Sequence, residues 1–222
     1  MIELHYYPGN ASLAPHILLH EIGAPFNTVL VDRTQQAHKA PAYLTLNPNG
    51  LIPVLRDGPL VLYECVAIGL HLCDTHPGAA LAPALATPAR AHFYKWLVWM
   101  TNTLQATLIH YFYPERMVDE GNAAGAAQVR AHAQARVGGL LDQLDAQLAG
   151  HGQPWLLGAD YSAADAYALT YCRWTRGFDG ASGSALAPAR DRPQLGPYLQ
   201  RVLARPAVQR ALAAEGLTAP WV

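Results

Sequence analysis

The sequence has few of the features that mark disulfide-bonded, nucleic-acid-binding or membrane-spanning proteins. It has three cysteines in 222 residues, and Cys65, Cys73 and Cys172 form no Cys-x-x-Cys motif, which is typical of the reducing cytoplasm. Charged residues make up only 14%, the net charge is −1, and no basic run is present, which argues against nucleic acid as a partner. No apolar run approaches the roughly 20 residues of a membrane span, and no signal peptide precedes the first strand pattern. We therefore expect a cytoplasmic protein with no nucleic-acid or membrane partner.

The first 76 residues alternate between strand and helix patterns. Period-two alternation predicts strands, and apolar residues that run up to a breaker such as Gly23 predict helices. Asp57-Gly58 is a tight-turn signal between two of the strands, so those two should form a hairpin. The predicted strands cover residues 2–7, 27–32, 51–55 and 60–63, and the predicted helices cover residues 13–23 and 64–75. This order predicts a small α/β sheet layer covered by helices, with a polar loop before the hairpin that has room for a short helix.

The second half of the chain shows no strand alternation. Residues 77–88 are rich in proline and alanine, and we interpret them as a linker between a domain over 1–76 and a second domain over 89–222. Apolar residues at helical spacing predict that the second domain is all α-helical. Within it, Ser162 and Asp165 match a capping box, whose role is in folding rather than in chemistry.

A polar elbow joins the first strand to the first helix. The N-terminus of a helix offers unpaired amides and a partial positive charge, so an anion placed there is stabilised. If the chain handles a sulfur anion, Asn10 and Ser12 are the residues placed to do so. The alternative is that Ser12 only caps the helix and Asn10 only turns the chain.

Five motifs, in this order and spacing, resemble those of a cytosolic glutathione transferase, most closely the bacterial beta class. They are Tyr-x-Pro-Gly-x-x-Ser-Leu-Ala-Pro-His at 6–16, Asn-Pro-x-Gly-x-x-Pro at 47–53, Glu64-Cys65 at the start of a helix, the Ser162–Asp165 box, and Ala-Arg-Pro-Ala-Val at 204–208. The resemblance covers nearly the whole chain. It implies a thioredoxin-like N-terminal α/β domain, an all-α C-terminal domain, glutathione as the co-substrate without a further cofactor, and a homodimer.

The resemblance also assigns parts of glutathione to particular residues. Pro53 would be the family's cis-proline and would aim the backbone of Ile52 at the cysteinyl part of glutathione. The helix amides at Glu64 and Cys65 would receive the γ-glutamyl carboxylate, although Cys65 stands where the family commonly has serine.

A basic residue after the second strand would bind the glycine carboxylate of glutathione. The candidates are Arg33, His38 and Lys39. The sequence does not rank the three, and Lys39 is the residue that we take as the prediction.

The chain departs from the beta class at the reacting sulfur. Ala11 stands where that class has a cysteine, and Gln105 stands where it has a histidine near the sulfur. Mixed-disulfide chemistry therefore cannot operate at Ala11, and Gln105 is retained as a glutathione-binding residue. We expect a hydrogen bond from a side chain of the elbow to stabilise the thiolate. The candidates are Ser12, Asn10, Tyr6 and Tyr7.

An aromatic-rich segment in the second domain predicts where a small hydrophobic electrophile would bind. Aromatic side chains with polar tips suit an apolar pocket between the domains, and they would suit core packing equally well. The candidate pocket residues are Trp99, His110, Tyr111, Tyr113 and Trp174, with Arg116 and Arg176 nearby.

The histidines of the first helix do not predict a metal site. His16 and His20 are four residues apart on one helix face, a spacing that can bind zinc, but no third ligand follows at a suitable spacing. We therefore predict no metal.

Three functions are compatible with these residues. The first is a glutathione S-transferase that joins the thiolate to hydrophobic electrophiles. The second is a glutathione-dependent reductase of disulfides or peroxides, in which glutathione supplies the thiol. The third is a non-enzymatic binding protein of the same fold, since fold alone does not establish activity.

Overall fold

The N-terminal domain is built on a four-stranded mixed sheet in the computed structural model, which describes residues 1–178 and 186–222. The strands are β1 (Ile2–Tyr6), β2 (Phe26–Leu30), β3 (Val54–Asp57) and β4 (Leu60–Tyr63), in the order β2-β1-β3-β4. β1 pairs parallel with β2 and antiparallel with β3. The parallel pair needs a crossover connection, and the helix after β1 supplies it.

Three helices accompany the sheet: α1 (Leu13–Ile22), α2 (Pro41–Leu44) and α3 (Cys65–Thr75). Helix α1 ends where Gly23 takes a φ of +73° and donates its N–H to Leu19 O at 3.0 Å, as glycine does at many helix ends. Leu13, Ile17 and Leu18 of α1 are completely buried. Burial of this kind stabilises the fold by about 1.5 to 3 kcal/mol for each such side chain.

The regular secondary structure in the described residues of the C-terminal domain is helical, apart from one isolated bridge between Trp155 and Gly158. Its helices are α4 (Pro88–Trp99), α5 (Ala106–Phe112), α6 (Ala123–His151), α7 (Ala163–Arg173), α8 (Leu195–Leu203) and α9 (Pro206–Ala214), with a π-helical segment over Met100–Gln105. Every residue of α7 is buried, so this helix forms the centre of the domain. Among the described residues, no helix combines the length and the apolar character needed to cross a membrane.

Most predicted elements of the first domain are confirmed, but the third strand begins three residues later than predicted. Pairing of β3 starts at Val54, whereas the prediction placed Leu51 and Ile52 in the strand. Pro53 explains the difference, because proline has no N–H to donate to a sheet ladder. The Ile52–Pro53 peptide bond is cis, as the family resemblance implied.

The predicted capping box is confirmed and extends into the core. The buried Asp165 carboxylate accepts hydrogen bonds from Ser162 N at 2.8 Å and, across the domain, from Leu156 N at 2.9 Å and Tyr198 Oη at 2.7 Å. Asp165 thus joins the start of α7 to the segment before it and to α8.

Hydrogen bonds and an ion pair join the two domains. Arg205, just before α9, donates Nε and Nη2 to the Glu21 carboxylate of α1 at 2.6 and 2.9 Å. In the linker region, Leu81 O accepts from Ala163 N at 2.8 Å. These contacts fix α1 against the C-terminal domain, and α1 carries the elbow at its N-terminus.

Replacing Asp165 with alanine is expected to lower the free energy of unfolding by about 3 kcal/mol or more, because four buried donors lose their acceptor. Urea unfolding of the wild type and of Asp165→Ala measures this difference. Asp119→Ala, at an exposed carboxylate, is the matched control and should change stability by about 0.5 kcal/mol or less. Equal effects of the two substitutions would contradict the role assigned to Asp165.

Candidate functional site

Residues 7–12, called the elbow, connect β1 to α1, and short-range hydrogen bonds fix their conformation. Asn10 N donates to Tyr7 O at 3.1 Å, and Leu13 N donates to Asn10 O at 3.0 Å. Gly9 takes a φ of +68°, a conformation that glycine adopts without the steric cost that a side chain brings. The elbow is therefore a tight reversal of the chain directly before the helix.

Ser12 stabilises this reversal from the inside. Its side chain is completely buried, its Oγ donates to Tyr7 O at 3.2 Å, and Tyr7 N donates to Ser12 Oγ at 3.3 Å. Ser12 occupies the N-cap position of α1, as the alternative interpretation held, but its side chain makes no capping hydrogen bond, because these bonds turn the hydroxyl toward the end of β1.

The C-terminal domain holds both polar groups of Gly9, an arrangement called the Gly9 clamp here. Gly9 N donates to Glu215 Oε2 at 2.8 Å, and Trp174 Nε1 donates to Gly9 O at 3.0 Å. The other oxygen of the buried Glu215 lies 2.9 Å from Nδ1 of His16 on α1. One carboxylate thus fixes the elbow and the helix that follows it.

The start of α3 contacts the elbow from the opposite side. Cys65 Sγ donates to Ala11 O at 3.1 Å, and Tyr167 Oη of α7 donates to Cys65 O at 2.5 Å. Burial raises the pKa of the Cys65 thiol to about 12, so it stays protonated and keeps its donor role. Cys65 therefore acts as a structural donor where the family commonly has a serine hydroxyl.

Glu64, directly before α3, has a φ of +71°, which a residue other than glycine rarely adopts. Such conformations are concentrated at binding and catalytic sites. Val54 pairs with Tyr63 in the hairpin, so Pro53 and Glu64, the residues just beyond that pair, lie at the same end of it. The exposed Glu64 and the helix amides behind it are thus beside the cis-proline.

A cavity of about 960 Å³ lies between the two domains and has the elbow in one wall. Six of the predicted site residues line it: Asn10, Lys39, Ile52, Gln105, Tyr113 and Trp174. Tyr7, Arg33, His38, Arg116 and Arg176, which were named as neighbours or alternatives, line it as well. The structure therefore brings residues of the predicted glutathione site and of the predicted electrophile pocket to one cavity.

Other predicted site residues are placed outside the cavity lining. Ser12, Tyr6, Pro53, Glu64 and Cys65 lie behind or beside it, and Tyr6 packs its ring edge on His16. Three predicted electrophile-pocket residues also lie elsewhere: Trp99 packs on Trp96, Tyr111 is buried against Phe178, and His110 is exposed.

Helical spacing explains which residues of α5 reach the cavity. Gln105, Ile109, Phe112 and Arg116 are spaced at three to four residues, so they share one face of the helix and of the turn after it. Tyr111 and His110 fall on other faces. Phe112 belongs to the aromatic-rich segment that predicted the pocket, whereas Ile109 was missed, although counting from Gln105 at this spacing would have found it.

Gln105 lies at the end of the π-helical segment, a kind of irregularity that is frequent at functional sites. Tyr171 Oη of α7 donates to Gln105 Oε1 at 3.0 Å. The amide nitrogen of Gln105 is therefore the part of this side chain that can donate to a ligand in the cavity.

Cationic groups surround Tyr113 at the mouth of the cavity. Arg33 Nη2 donates to Tyr113 Oη at 3.0 Å, and the Arg116 guanidinium stacks on the Tyr113 ring at 4.0 Å. Burial, together with the charges of Arg33, Lys39 and Arg116, lowers the pKa of His38. This wall of the cavity therefore has a positive electrostatic potential.

Comparisons with known proteins agree along the whole chain. The model of the "Glutathione S-transferase, N-terminal domain" family matches residues 11–75, and that of the "Glutathione S-transferase, C-terminal domain" family matches residues 99–206. The chain is 33% identical over 220 residues to Glutathione S-transferase GST-4.5 of Xanthomonas campestris pv. campestris, with 97% of this chain and 100% of that protein covered.

Two solved structures show the same agreement in three dimensions. A glutathione transferase homologue from Sulfitobacter, solved with bound glutathione, has a TM-score of 0.84 and 25% identity, with 98% of this chain and 99% of that chain covered. A beta-class glutathione S-transferase of Sphingomonas chungbukensis has a TM-score of 0.78 and 32% identity, with 97% and 100% covered.

Replacing Glu215 with glutamine is expected to weaken the Gly9 clamp, because a neutral amide cannot accept from both Gly9 and His16 as the carboxylate does. We expect the free energy of unfolding to fall by about 2 kcal/mol. Hydrogen exchange at the Gly9 amide should also become faster. The control is Glu120→Gln at an exposed site, where neither quantity should change. Unchanged exchange at Gly9 in Glu215→Gln would show that the clamp does not hold the elbow.

Proposed function

The chain belongs to the glutathione S-transferase family, and from that premise we propose that it joins the thiolate of glutathione to hydrophobic electrophiles. One observation carries the proposal: a single cavity is lined both by the elbow and Ile52 of the N-terminal domain and by the aromatic residues Phe112, Tyr113 and Trp174 of the C-terminal domain. A nucleophile and an apolar electrophile held in such a cavity react as neighbours, which removes much of the entropic barrier.

Glutathione would lie along the N-terminal domain. The backbone of Ile52 would hydrogen-bond its cysteinyl part, and the amides at the start of α3, beside Glu64, would bind the γ-glutamyl carboxylate. Lys39 would bind the glycine carboxylate, and it lies close enough to the loop before Ile52 to donate to Asn49 O at 3.4 Å. A structural neighbour of this chain was solved with bound glutathione, which supports glutathione as the co-substrate.

Asn10 is the residue that we place at the sulfur. Its Oδ1 accepts from Ala11 N at 2.7 Å, so its Nδ2 is the group available to a ligand in the cavity. A hydrogen bond from Nδ2 to the sulfur would favour the thiolate over the thiol and lower the pKa of glutathione. Ser12 stays the alternative, but its hydroxyl hydrogen is already donated to Tyr7 O.

The other parts of the site have supporting roles. The amide of Gln105, oriented by Tyr171, would give a second donor near the sulfur. The thiolate would then attack the electrophilic carbon, and the leaving group would depart with its electron pair. A homodimer and a cytoplasmic location belong to the same proposal and are supported by the family alone.

Calorimetric titration of the purified protein with glutathione at pH 7 tests the first step of the proposal. We expect saturable binding with release of protons, because the thiol ionises in the site. Conjugation to a chromogenic aryl halide should then exceed reduction of a mixed hydroxyethyl disulfide. The reverse ranking would favour a glutathione-dependent reductase, and no binding at millimolar glutathione would refute both enzymatic functions.

Substitution of the elbow residues identifies the thiol donor. Asn10→Ala is expected to raise the pKa of bound glutathione by about one unit and to lower kcat/KM about 10-fold. Ser12→Ala should mainly lower stability, by about 1 kcal/mol, through the lost bond to Tyr7. Asn27→Ala, at an exposed asparagine of β2, is the control for asparagine removal. A raised thiol pKa in Ser12→Ala alone would assign the role to Ser12 instead.

A further inference from the structure

The cavity carries more positive charge than glutathione needs. Its lining includes Arg33, Lys39, Arg116 and Arg176, and none of its described lining residues is acidic. The ion pairs within residues 1–178 and 186–222 engage other arginines. Within that part of the chain, the charges of Arg33, Lys39 and Arg116 are therefore not neutralised by a carboxylate.

Tyr113 brings two of these cations together. Arg33 follows β2 in the N-terminal domain, and Arg116 lies in the turn after α5 in the C-terminal domain, yet both contact the one phenol ring. The contact with Tyr113 uses one N–H group of Arg33, which leaves four of its five N–H donors. Two guanidinium groups held in this way can bind a carboxylate through charge-assisted hydrogen bonds.

In the placement proposed above, with Lys39 rather than Arg33 at the glycine carboxylate, glutathione does not use this pair of arginines. Of its two carboxylates, the γ-glutamyl one is assigned above to the amides of α3, and the glycine one to Lys39. Phe112 and Trp174 also line the cavity, with ring centroids 6.4 Å apart, so an aromatic ring has apolar surface to pack on near the arginines.

We infer that the electrophile is an anion: an aromatic ring that carries a carboxylate, bound by Arg33 and Arg116 on either side of Tyr113. This inference rests on the proposed function and narrows its substrate class. When this ring carries a halogen as the leaving group, the thiolate sulfur forms a bond to the ring carbon that bears the halogen. The carbon–halogen bond breaks, and the halide leaves with the electron pair. The carboxylate is not changed and serves only to position the ring.

The electrostatics of the neighbouring His38 agree with this assignment. Its pKa is lowered partly by Arg33, Lys39 and Arg116, so all three charges act on one point of the cavity wall. A positive potential of this kind also speeds the arrival of an anion and weakens as salt screens it.

The test compares 4-chloro-3,5-dinitrobenzoate with its neutral methyl ester, each at saturating glutathione. The kcat/KM of each is divided by its uncatalysed rate constant with glutathione, which removes the difference in intrinsic reactivity. We expect the wild type to prefer the acid at low salt and less so at high salt. Arg116→Gln and Arg33→Gln should each lower the corrected kcat/KM for the acid about 10-fold.

Arg116→Gln should leave the ester reaction and the KM for glutathione unchanged within about twofold, and Arg116→Lys should restore part of the preference. Arg136→Gln, at an exposed arginine of α6 outside the cavity, controls for net charge and should change neither reaction. The inference is wrong if the wild type shows no preference. It is also wrong if the arginine variants mainly raise the KM for glutathione, since the pair would then serve the co-substrate.

Failure of the proposed function gives a different result. If neither compound is conjugated but glutathione binds, the transferase proposal fails, and equilibrium binding of the unreactive 3,5-dinitrobenzoate and its methyl ester decides the anion site. Stronger binding of the acid that is lost in Arg116→Gln would support the site. Equal binding of acid and ester would overturn it.

Discussion

The position of the Gly9 peptide is the constraint on which the rest of the site depends. Its N–H is held by Glu215 and its carbonyl by Trp174, and both partners belong to the C-terminal domain. Glu215 lies 206 residues away along the chain. Because one buried carboxylate also contacts His16, the elbow, α1 and the end of the chain form one unit. The cavity is then the space that this unit leaves between the domains, and Asn10 lies in its wall because Gly9 is held.

Signals confined to a few neighbouring residues predicted the fold well. Gly23 ends α1, the Asp57-Gly58 turn joins β3 and β4, and Asp165 closes a capping box, each through hydrogen bonds that reach only a few residues. The spacing of the motifs then sufficed for the family, and with it for the glutathione transferase fold. All the residues that form each of these features are neighbours in the sequence, so the sequence alone is enough to predict them.

Features that depend on distant contacts could not be predicted in the same way. A side-chain cap from Ser12 was one of two alternatives, but its hydroxyl donates to Tyr7 O at the end of β1 instead. His110 and Tyr111 are aromatic and are sequence neighbours of residues that line the cavity. They lie on other faces of α5 and therefore do not reach it. Glu215 gave no signal at all, because a single glutamate near the end of a chain becomes a clamp only after two domains have packed around it.

An enzyme with the proposed function has to keep its own cysteine thiols from reacting with the electrophile. Cys65, Cys73 and Cys172 are all buried, and burial raises the pKa of each thiol to about 12. A protonated, inaccessible thiol reacts slowly with alkylating agents. Cys65 contacts the elbow directly, but its thiol donates to Ala11 O and is buried there. Ala11 stands where the beta class has a cysteine, so in the proposed function the thiol that reacts with the electrophile is that of glutathione, which leaves with the product and is replaced at every turnover.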